Sequence, residues 1–309
     1  MNLPFVEQRL NQSTQYVGRF APSPSGPLHL GSLVAALGSY LRARQLGGKW
    51  LLRIEDIDPP REQSGATERI QTTLACHGLI WDDEVVYQHD NHSHYEQALT
   101  ALFVNGHSYY CQCTRKERLA NPQGQRCPCA ELILAPSTSA IVLRNSLGIT
   151  EMNDLLLGQI SFGEEAKEDF ILRRKDGLYA YQLAVVVDDI HAGVTEVVRG
   201  ADILPATAYQ LALYRLFERS PPVYLHLPLV LGENNQKLSK QNHAPALINT
   251  NARRNLCTAL GFLGLKASAN MNDAPVDEIL AWATHNWNVT LIADKANAFG
   301  NRIDASDSI

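Results

Sequence analysis

The sequence predicts an α/β protein built on a doubly wound parallel sheet, and three observations carry that prediction. The stretch leading to Arg19-Phe20 reads as a strand that runs through a Pro/Gly-rich turn into a helix opened by His29-Leu30-Gly31-Ser32. Residues 49–54 form a short apolar strand followed at once by Glu55-Asp56-Ile57-Asp58-Pro59-Pro60. Residues 194–199 read as a second strand that passes through Gly200-Ala201-Asp202 into a helix over 207–217. In such sheets ligands sit beyond the carboxyl ends of the strands, so residues 23–32 and 55–58 are placed around one pocket.

Taken in order, residues 32–46 read as a helix because Leu33, Val34, Leu37, Tyr40 and Leu41 share one face and Gly47-Gly48 stops it. Further helices are expected over 67–77 and 95–104. From about residue 107 the texture changes: residues 109–134 carry cysteines, Asn-Pro, Gln-Gly and Cys-Pro without sustained periodicity, as in a metal-stapled insertion. Residues 169–174, a turn at Asp176-Gly177 and residues 178–187 read as paired strands, with Asp188 and Asp189 as structural carboxylates at a strand end. The 69 residues after Lys240 are mostly helical by pattern and close on a polar tail from Asn301. The expected organisation is 15–107 and 178–236 as the two halves of a catalytic domain, 108–177 as the insertion, and 237–309 as a lysine loop with a short helical region.

A chain of 309 residues with 45% hydrophobic and 19% charged residues has an ordinary globular composition and room for about two domains. The polar first 15 residues lack an apolar core segment, and runs such as 183–187 are too short to span a bilayer. The expectation is a cytoplasmic protein without a membrane partner. A net charge of −5 argues against a generally basic surface but leaves room for local phosphate contacts. Six cysteines occur. Cys76 and Cys257 read as buried packing residues, whereas Cys111, Cys113, Cys127 and Cys129 form a C-x-C-x13-C-x-C cluster suited to a structural zinc ion. Free cysteines in a loop are the alternative reading.

A helix N-terminus presents unpaired N–H groups and a positive dipole end, so the turn before the first helix suits a phosphate. Gly31 admits a ligand to the backbone, His29 adds a side-chain donor, and Ser32 with its neighbouring N–H groups assists. Lys237-Leu238-Ser239-Lys240 brings two lysines and a hydroxyl onto one segment, which suits a polyphosphate leaving group. Arg19, Ser23, Glu55, Tyr181 and Arg199 suit an amino-acid substrate. Glu55 pairs an ammonium, Arg19 and Arg199 offer forks to a side-chain carboxylate, and Tyr181 adds a hydroxyl. Arg253-Arg254 is a candidate contact for RNA phosphates, with a solvated helix face as its bland alternative.

The RFAPSPSGPLHLGS string from Arg19 to Ser32 and the Lys237–Lys240 segment together resemble the HIGH and KMSKS signatures of class I aminoacyl-tRNA synthetases. The likeness extends from Arg19 to Ala246 through RIEDIDPPR, YAYQLAVVVDD, VVRGADIL and KLSKQNHAPAL, and it is closest to the glutamyl type. Three features resemble the shortened paralogues of that type: Ser and Leu after His-Leu-Gly, Gln241-Asn242-His243-Ala244 after the lysines, and too short a C-terminal stretch for a large anticodon-binding region.

The resemblance implies a class I Rossmann-like fold that activates glutamate with ATP and Mg2+ without tRNA, forming glutamyl-adenylate. It implies transfer of glutamate to the cyclopentene-diol of queuosine at the wobble position of tRNA(Asp). Charging of the tRNA 3′ end by a compact glutamyl enzyme, or an inactive RNA-binding descendant, are the alternatives. The family's glutamate-binding positions match Arg19, Ala21, Ser23, Glu55, Tyr181 and Arg199, its ATP-binding turn matches His29, Gly31 and Ser32, and its leaving-group lysine matches Lys240, with Lys237 beside it. The family's zinc pattern ends in a tyrosine and a cysteine four residues later. Cys129 matches that cysteine, but the tyrosine position is Gln125, which leaves Cys127 as the candidate fourth ligand.

Overall fold

The computed structural model describes residues 15–114, 116–117, 127–230, 245–268, 271 and 273–292. Lys237, Lys240, Gln125 and the polar tail lie outside the described residues. The chain opens with strand β1 (Val17–Phe20), helix α1 (Leu30–Gln45) and strand β2 (Lys49–Ile54). His29 caps α1 by accepting the Ser32 N–H on Nδ1 at 3.3 Å, and Arg42 and Arg44 place positive charge at the negative end of its dipole. Helix α2 (Ala66–Cys76), the short strand β3 (Val86–Tyr87) and helix α3 (His92–Val104) follow. Gly48 has no room for a side chain: a Cβ there would lie 2.3 Å from the Tyr16 carbonyl oxygen.

Next come β4 (Ser108–Cys111), β5 (Ala140–Leu143), β6 (Glu151–Asp154), β7 (Gly158–Ser161) and β8 (Phe170–Arg173). Helix α4 (Tyr181–His191), strand β9 (Glu196–Gly200), helix α5 (Ala206–Leu216) and strand β10 (Val223–Leu227) complete the catalytic region. Two helices, α6 (Ala252–Phe262) and α7 (Val276–Asn286), close the described chain.

Strands β1, β2 and β3 pair in parallel in the order β1-β2-β3, and β9 and β10 pair in parallel in a second group. The two groups meet where the Thr195 N–H donates to the Val17 carbonyl at 2.9 Å and the Val17 N–H donates to Thr195 Oγ1 at 2.9 Å. Glu196 stitches the same seam, accepting two bonds from the Arg42 guanidinium at 2.8 and 3.1 Å and one from Tyr16 OH at 3.2 Å. The order across the seam is β3-β2-β1-β9-β10, with the reversal of direction between β1 and β9. That reversal creates the crevice in which doubly wound sheets bind ligands.

Alternation along the strands shows that both faces are covered. Trp50, Leu52 and Ile54 of β2 join a core with Leu33, Leu37 and Leu41 of α1 and with Leu256, Leu260 and Ile279 of α6 and α7. The intervening Arg53 points to the opposite face, where it meets Asp189 of α4. There a second core unites Tyr95, Leu99 and Leu102 of α3 with Leu183 and Val186 of α4 and Leu213 of α5.

The structure corrects three expectations. Residues 181–187 are not a strand: the hairpin from β8 ends at an isolated bridge between Arg173 and Tyr179, and α4 begins at Tyr181. The run Val185-Val186-Val187 has strand-like composition, but packing on all sides makes an unbroken apolar run equally suited to a buried helix. Asp188 and Asp189 accordingly lie on a helix, both buried, and not at a strand end. Cys76 is exposed at the end of α2 and not a packing residue, whereas Cys257 packs half-buried against the first core. The stretch 108–177 also holds more order than its texture suggests: β4, β5 and β8 form an antiparallel sheet, and the β6–β7 hairpin joins the catalytic sheet through Tyr224 of β10 opposite Asp154.

Candidate active site

A cavity of about 330 Å³ opens at the carboxyl ends of β1 and β9. Arg19, Ala21, Ser23, His29, Gly31, Ser32, Glu55, Tyr181 and Arg199, scattered over 180 residues of sequence, all line it. The turn between β1 and α1 supplies one wall. Gly26 stands there at φ 137°, a conformation that side chains disfavour, and lets the chain reverse into the helix. Because Nδ1 of His29 accepts the Ser32 N–H, the neutral ring carries its proton on Nε2, which makes it a donor for an anion at the helix terminus.

Beneath the pocket lies a buried charge network. Asp189 receives Arg19 Nε at 3.2 Å and Arg53 Nη1 at 2.6 Å, and Arg53 Nη2 reaches Glu55 at 3.3 Å. Asp188 accepts from Gln88 at 2.6 Å, from Asn91 at 2.8 Å and from Tyr95 at 2.9 Å. Burial alone would raise the Asp189 pKa, but the two guanidinium groups outweigh it and hold the carboxyl below its ordinary value. Glu55 goes the other way, raised by burial against the pull of Arg53 and Arg19. It is therefore a carboxylate for which an added cation, such as an ammonium group, lowers the cost of ionisation.

Arg199 differs from its two neighbours. Its Nε bonds His226 at 3.1 Å, its Nη2 donates to Thr207 at 2.8 Å, and its Nη1 lies 3.5 Å from Tyr181 OH. It sits 5.2 Å over the Tyr224 ring and is 6% exposed. Among the described residues it forms no ion pair with a carboxylate. Asp154 acts one step away, bonding His226 Nδ1 at 2.7 Å, and burial lowers the His226 pKa, so that ring stays neutral beside the guanidinium. A buried guanidinium wants an anion, and this one faces the pocket.

Arg53, Thr207, His226 and Asp154 escaped the sequence reading. Only His226 leaves a trace in the sequence, as a lone histidine inside the apolar strand Val223–Leu227; the others gain their roles from partners far along the chain. Val230 lines the pocket together with His29, and the Leu247 N–H donates to the Leu28 carbonyl, also of the lining, at 2.9 Å.

The four clustered cysteines come together at the end of β4, with their sulfurs all within 4.8 Å of one another. Cys113 Sγ lies 3.4 Å from Cys127 and 3.5 Å from Cys129, and Cys111 lies 3.7 Å from Cys127. A tetrahedron with Zn–S bonds of about 2.3 Å has sulfurs about 3.8 Å apart, so the donor set fits zinc in number, type and spacing. Cys127 is the donor available for the fourth corner.

Residues 15–131 and 137–260 match the family model for class I tRNA synthetases (E and Q), catalytic domain. A glutamyl-Q tRNA(Asp) synthetase of Shigella flexneri is 51% identical over 284 residues, spanning 92% of this chain and 92% of its own. The chain belongs to the glutamyl-Q tRNA(Asp) synthetase family. A second member, from Vibrio vulnificus, is 47% identical over 293 residues, or 94% of this chain and 95% of its own. Membership makes the chain a ligase of the class I synthetase type. The fold is shared with a solved glutamate tRNA ligase from Elizabethkingia meningosepticum, at a TM-score of 0.75 and 23% identity over 92% of this chain and 68% of the other. No described helix is long and apolar enough to cross a membrane.

Proposed function

We propose that the enzyme activates L-glutamate with ATP in the absence of tRNA and then transfers glutamate to the queuosine of tRNA(Asp). The observation that carries the substrate assignment is Arg199, a buried guanidinium facing the pocket with neutral direct partners. An acidic side chain supplies the missing counter-charge, whereas an amide of the same shape does not. Glu55 takes the α-ammonium, Tyr181 adds a hydroxyl beside Arg199, and Arg19, Ala21 and Ser23 complete the wall.

In the first step a glutamate α-carboxylate oxygen attacks the α-phosphorus of ATP, a P–O bond forms, and pyrophosphate leaves. His29 Nε2–H, the Gly31 N–H and the Ser32 hydroxyl receive the charge that builds on the phosphates. Lys240, assisted by Lys237, neutralises the leaving pyrophosphate, and Mg2+ carried in with ATP would add to that charge. In the second step a hydroxyl of the queuosine cyclopentene-diol attacks the acyl carbon and forms the ester. The anhydride C–O bond breaks, AMP leaves with its electron pair, and the hydroxyl proton passes to solvent. A structural zinc ion on Cys111, Cys113, Cys127 and Cys129 holds the insertion and takes no part in either step.

The test is glutamate-dependent ATP–pyrophosphate exchange without tRNA, followed by transfer of labelled glutamate to tRNA(Asp) with and without queuosine. Exchange without tRNA is expected, and so is label that is retained on tRNA(Asp) lacking its 3′-terminal adenosine yet requires queuosine. Exchange that strictly needs tRNA, or label lost with the 3′ end, would make the protein a compact glutamyl-tRNA synthetase instead.

A further inference from the structure

A second cavity, of about 190 Å³, adjoins the first. The two share Ser23, Ser25, Glu55 and Tyr181, the amino-acid end of the site, while His29, Gly31 and Ser32 line only the first. An amino acid seated there is thus open to a nucleotide on one side and to a second reactant on the other. The second cavity lies below the ~300 Å³ at which pockets for drug-sized ligands begin, so it admits a substituted ring but not a whole nucleotide.

Its lining is specific. Gln88 is 1% exposed; its Nε2 is committed to Asp188 at 2.6 Å, and its Oε1 is buried without a hydrogen-bond partner among the described residues. Gln88 is one of the residues that line the cavity, and an unpaired buried carbonyl oxygen on a lining residue calls for a donor. The exposed Glu62 brings a carboxylate to the rim, where Arg61 and Arg174 both approach Asp58, Arg174 at 3.6 Å. Both arginines are largely exposed and can take up phosphates without unmaking the core.

We infer that this second cavity receives the cyclopentene-diol of the acceptor nucleoside, with a diol hydroxyl donating to Gln88 Oε1. The inference rests on the function proposed above and adds the residues that choose the acceptor. Queuosine carries its diol on a secondary amine that is protonated at neutral pH, and Glu62 meets that charge at the rim. An unmodified guanosine offers neither the hydroxyl nor the cation, and it leaves Gln88 Oε1 unpaired. Arg61 and Arg174 hold the phosphates on either side of a nucleotide turned out of its stack.

The test compares binding and glutamylation of tRNA(Asp) with and without queuosine by the full chain and by Gln88→Met, Glu62→Gln and Arg174→Ala variants. Gln88→Met keeps the side-chain volume and leaves Asp188 held by Asn91 and Tyr95. It is expected to cut the preference for the modified tRNA roughly three- to tenfold, the worth of one hydrogen bond. Glu62→Gln lowers the same preference, and it decides the matter alone if Gln88→Met does not fold. Arg174→Ala weakens both tRNAs alike. If Gln88→Met and Glu62→Gln both keep the wild-type preference while glutamate still reaches queuosine, the cavity is not the acceptor pocket and the proposed function stands. A wild-type chain that ignores queuosine overturns that function and this assignment together.

Discussion

Among the three arginines of the active site, two are neutralised by the protein and one is not, and this division sets what each substitution does. Arg19 and Arg53 share Asp189, whereas among the described residues Arg199 bonds His226, Thr207 and Tyr181 and no carboxylate. Arg199→Ala is expected to lower kcat/KM for glutamate activation by about 10- to 100-fold, the worth of a charge-assisted hydrogen bond, and to erode discrimination against glutamine. Exchange kinetics with both amino acids check this; unchanged discrimination would remove Arg199 from reading the γ-carboxylate. Arg199 was legible in the sequence through VVRGADIL, but its lack of a counter-ion was not, because that depends on what Asp154 and His226 do from other strands. A second prediction concerns pH. His77 and His226 are fully buried, and desolvation lowers both pKa values. The unfolded chain binds protons at these residues near pH 6.5 while the folded chain resists, so stability is present above that pH and lost as pH falls through it. Exposed His89, raised first by its hydrogen bond to Asp56, works in the opposite sense. The melting temperature should fall between pH 7.5 and pH 5.5; a flat or rising profile would show that His89 outweighs the buried pair.

At the scale of elements, α1 was legible and α4 was not. Helix α1 declares itself because its apolar positions fall on one face and glycines stop it. In α4 residues 183–189 are all buried, and the run Val185-Val186-Val187 argues for a strand. What decides the matter is tertiary: only as a helix do Asp188 and Asp189 face Arg53 and Arg19 across the sheet. The stretch 108–177 stood out in the sequence through its cysteines, its turn dipeptides and its loss of periodicity, none of which announces a sheet. Its sheet of β4, β5 and β8 has short strands, and the small core at its end consists of Tyr109, Ala140 and Val142 around three of the cysteines. With so little apolar surface, a metal bound by the four cysteines would be the main fastening of that end. One zinc per chain is expected by elemental analysis of protein prepared without chelators. Cys111→Ser should lose it and raise amide exchange in β4 and β5 well before β1 or β9. Zinc-free protein with the same protection in β4 and β5 would make the cysteines a packing cluster.

At the scale of the whole molecule, the two distant α/β passages announced the sheet, but the seam between them did not appear in any local pattern. Thr195, Glu196, Arg42 and Tyr16 join β1 to β9, and the pocket exists because those strands run side by side. The C-terminal helices have a structural task as well: Leu256, Ala259, Leu260, Ile279 and Trp287 cover the outer face of α1. That packing sharpens the prediction for Arg253 and Arg254. Both are exposed on α6, and the buried positions of that helix are Ala252, Leu256, Ala259 and Leu260. With a net charge of −5 the chain must meet RNA through local basic surface, and this pair offers two adjacent cations on a rigid helix. Replacing both with alanine should weaken tRNA binding and reduce the slope of log K against log salt by about 1.5 to 2, as expected for two lost phosphate contacts. Glutamate activation without tRNA should persist, since the adenylation pocket is lined by other segments. Arg253 also donates to the Asp273 carbonyl at 3.1 Å, so a structural outcome is defined too. Activation and transfer falling together, with a lower melting temperature, would mean that the pair holds α6 in place. An unchanged salt slope with full transfer would make it ordinary solvated surface.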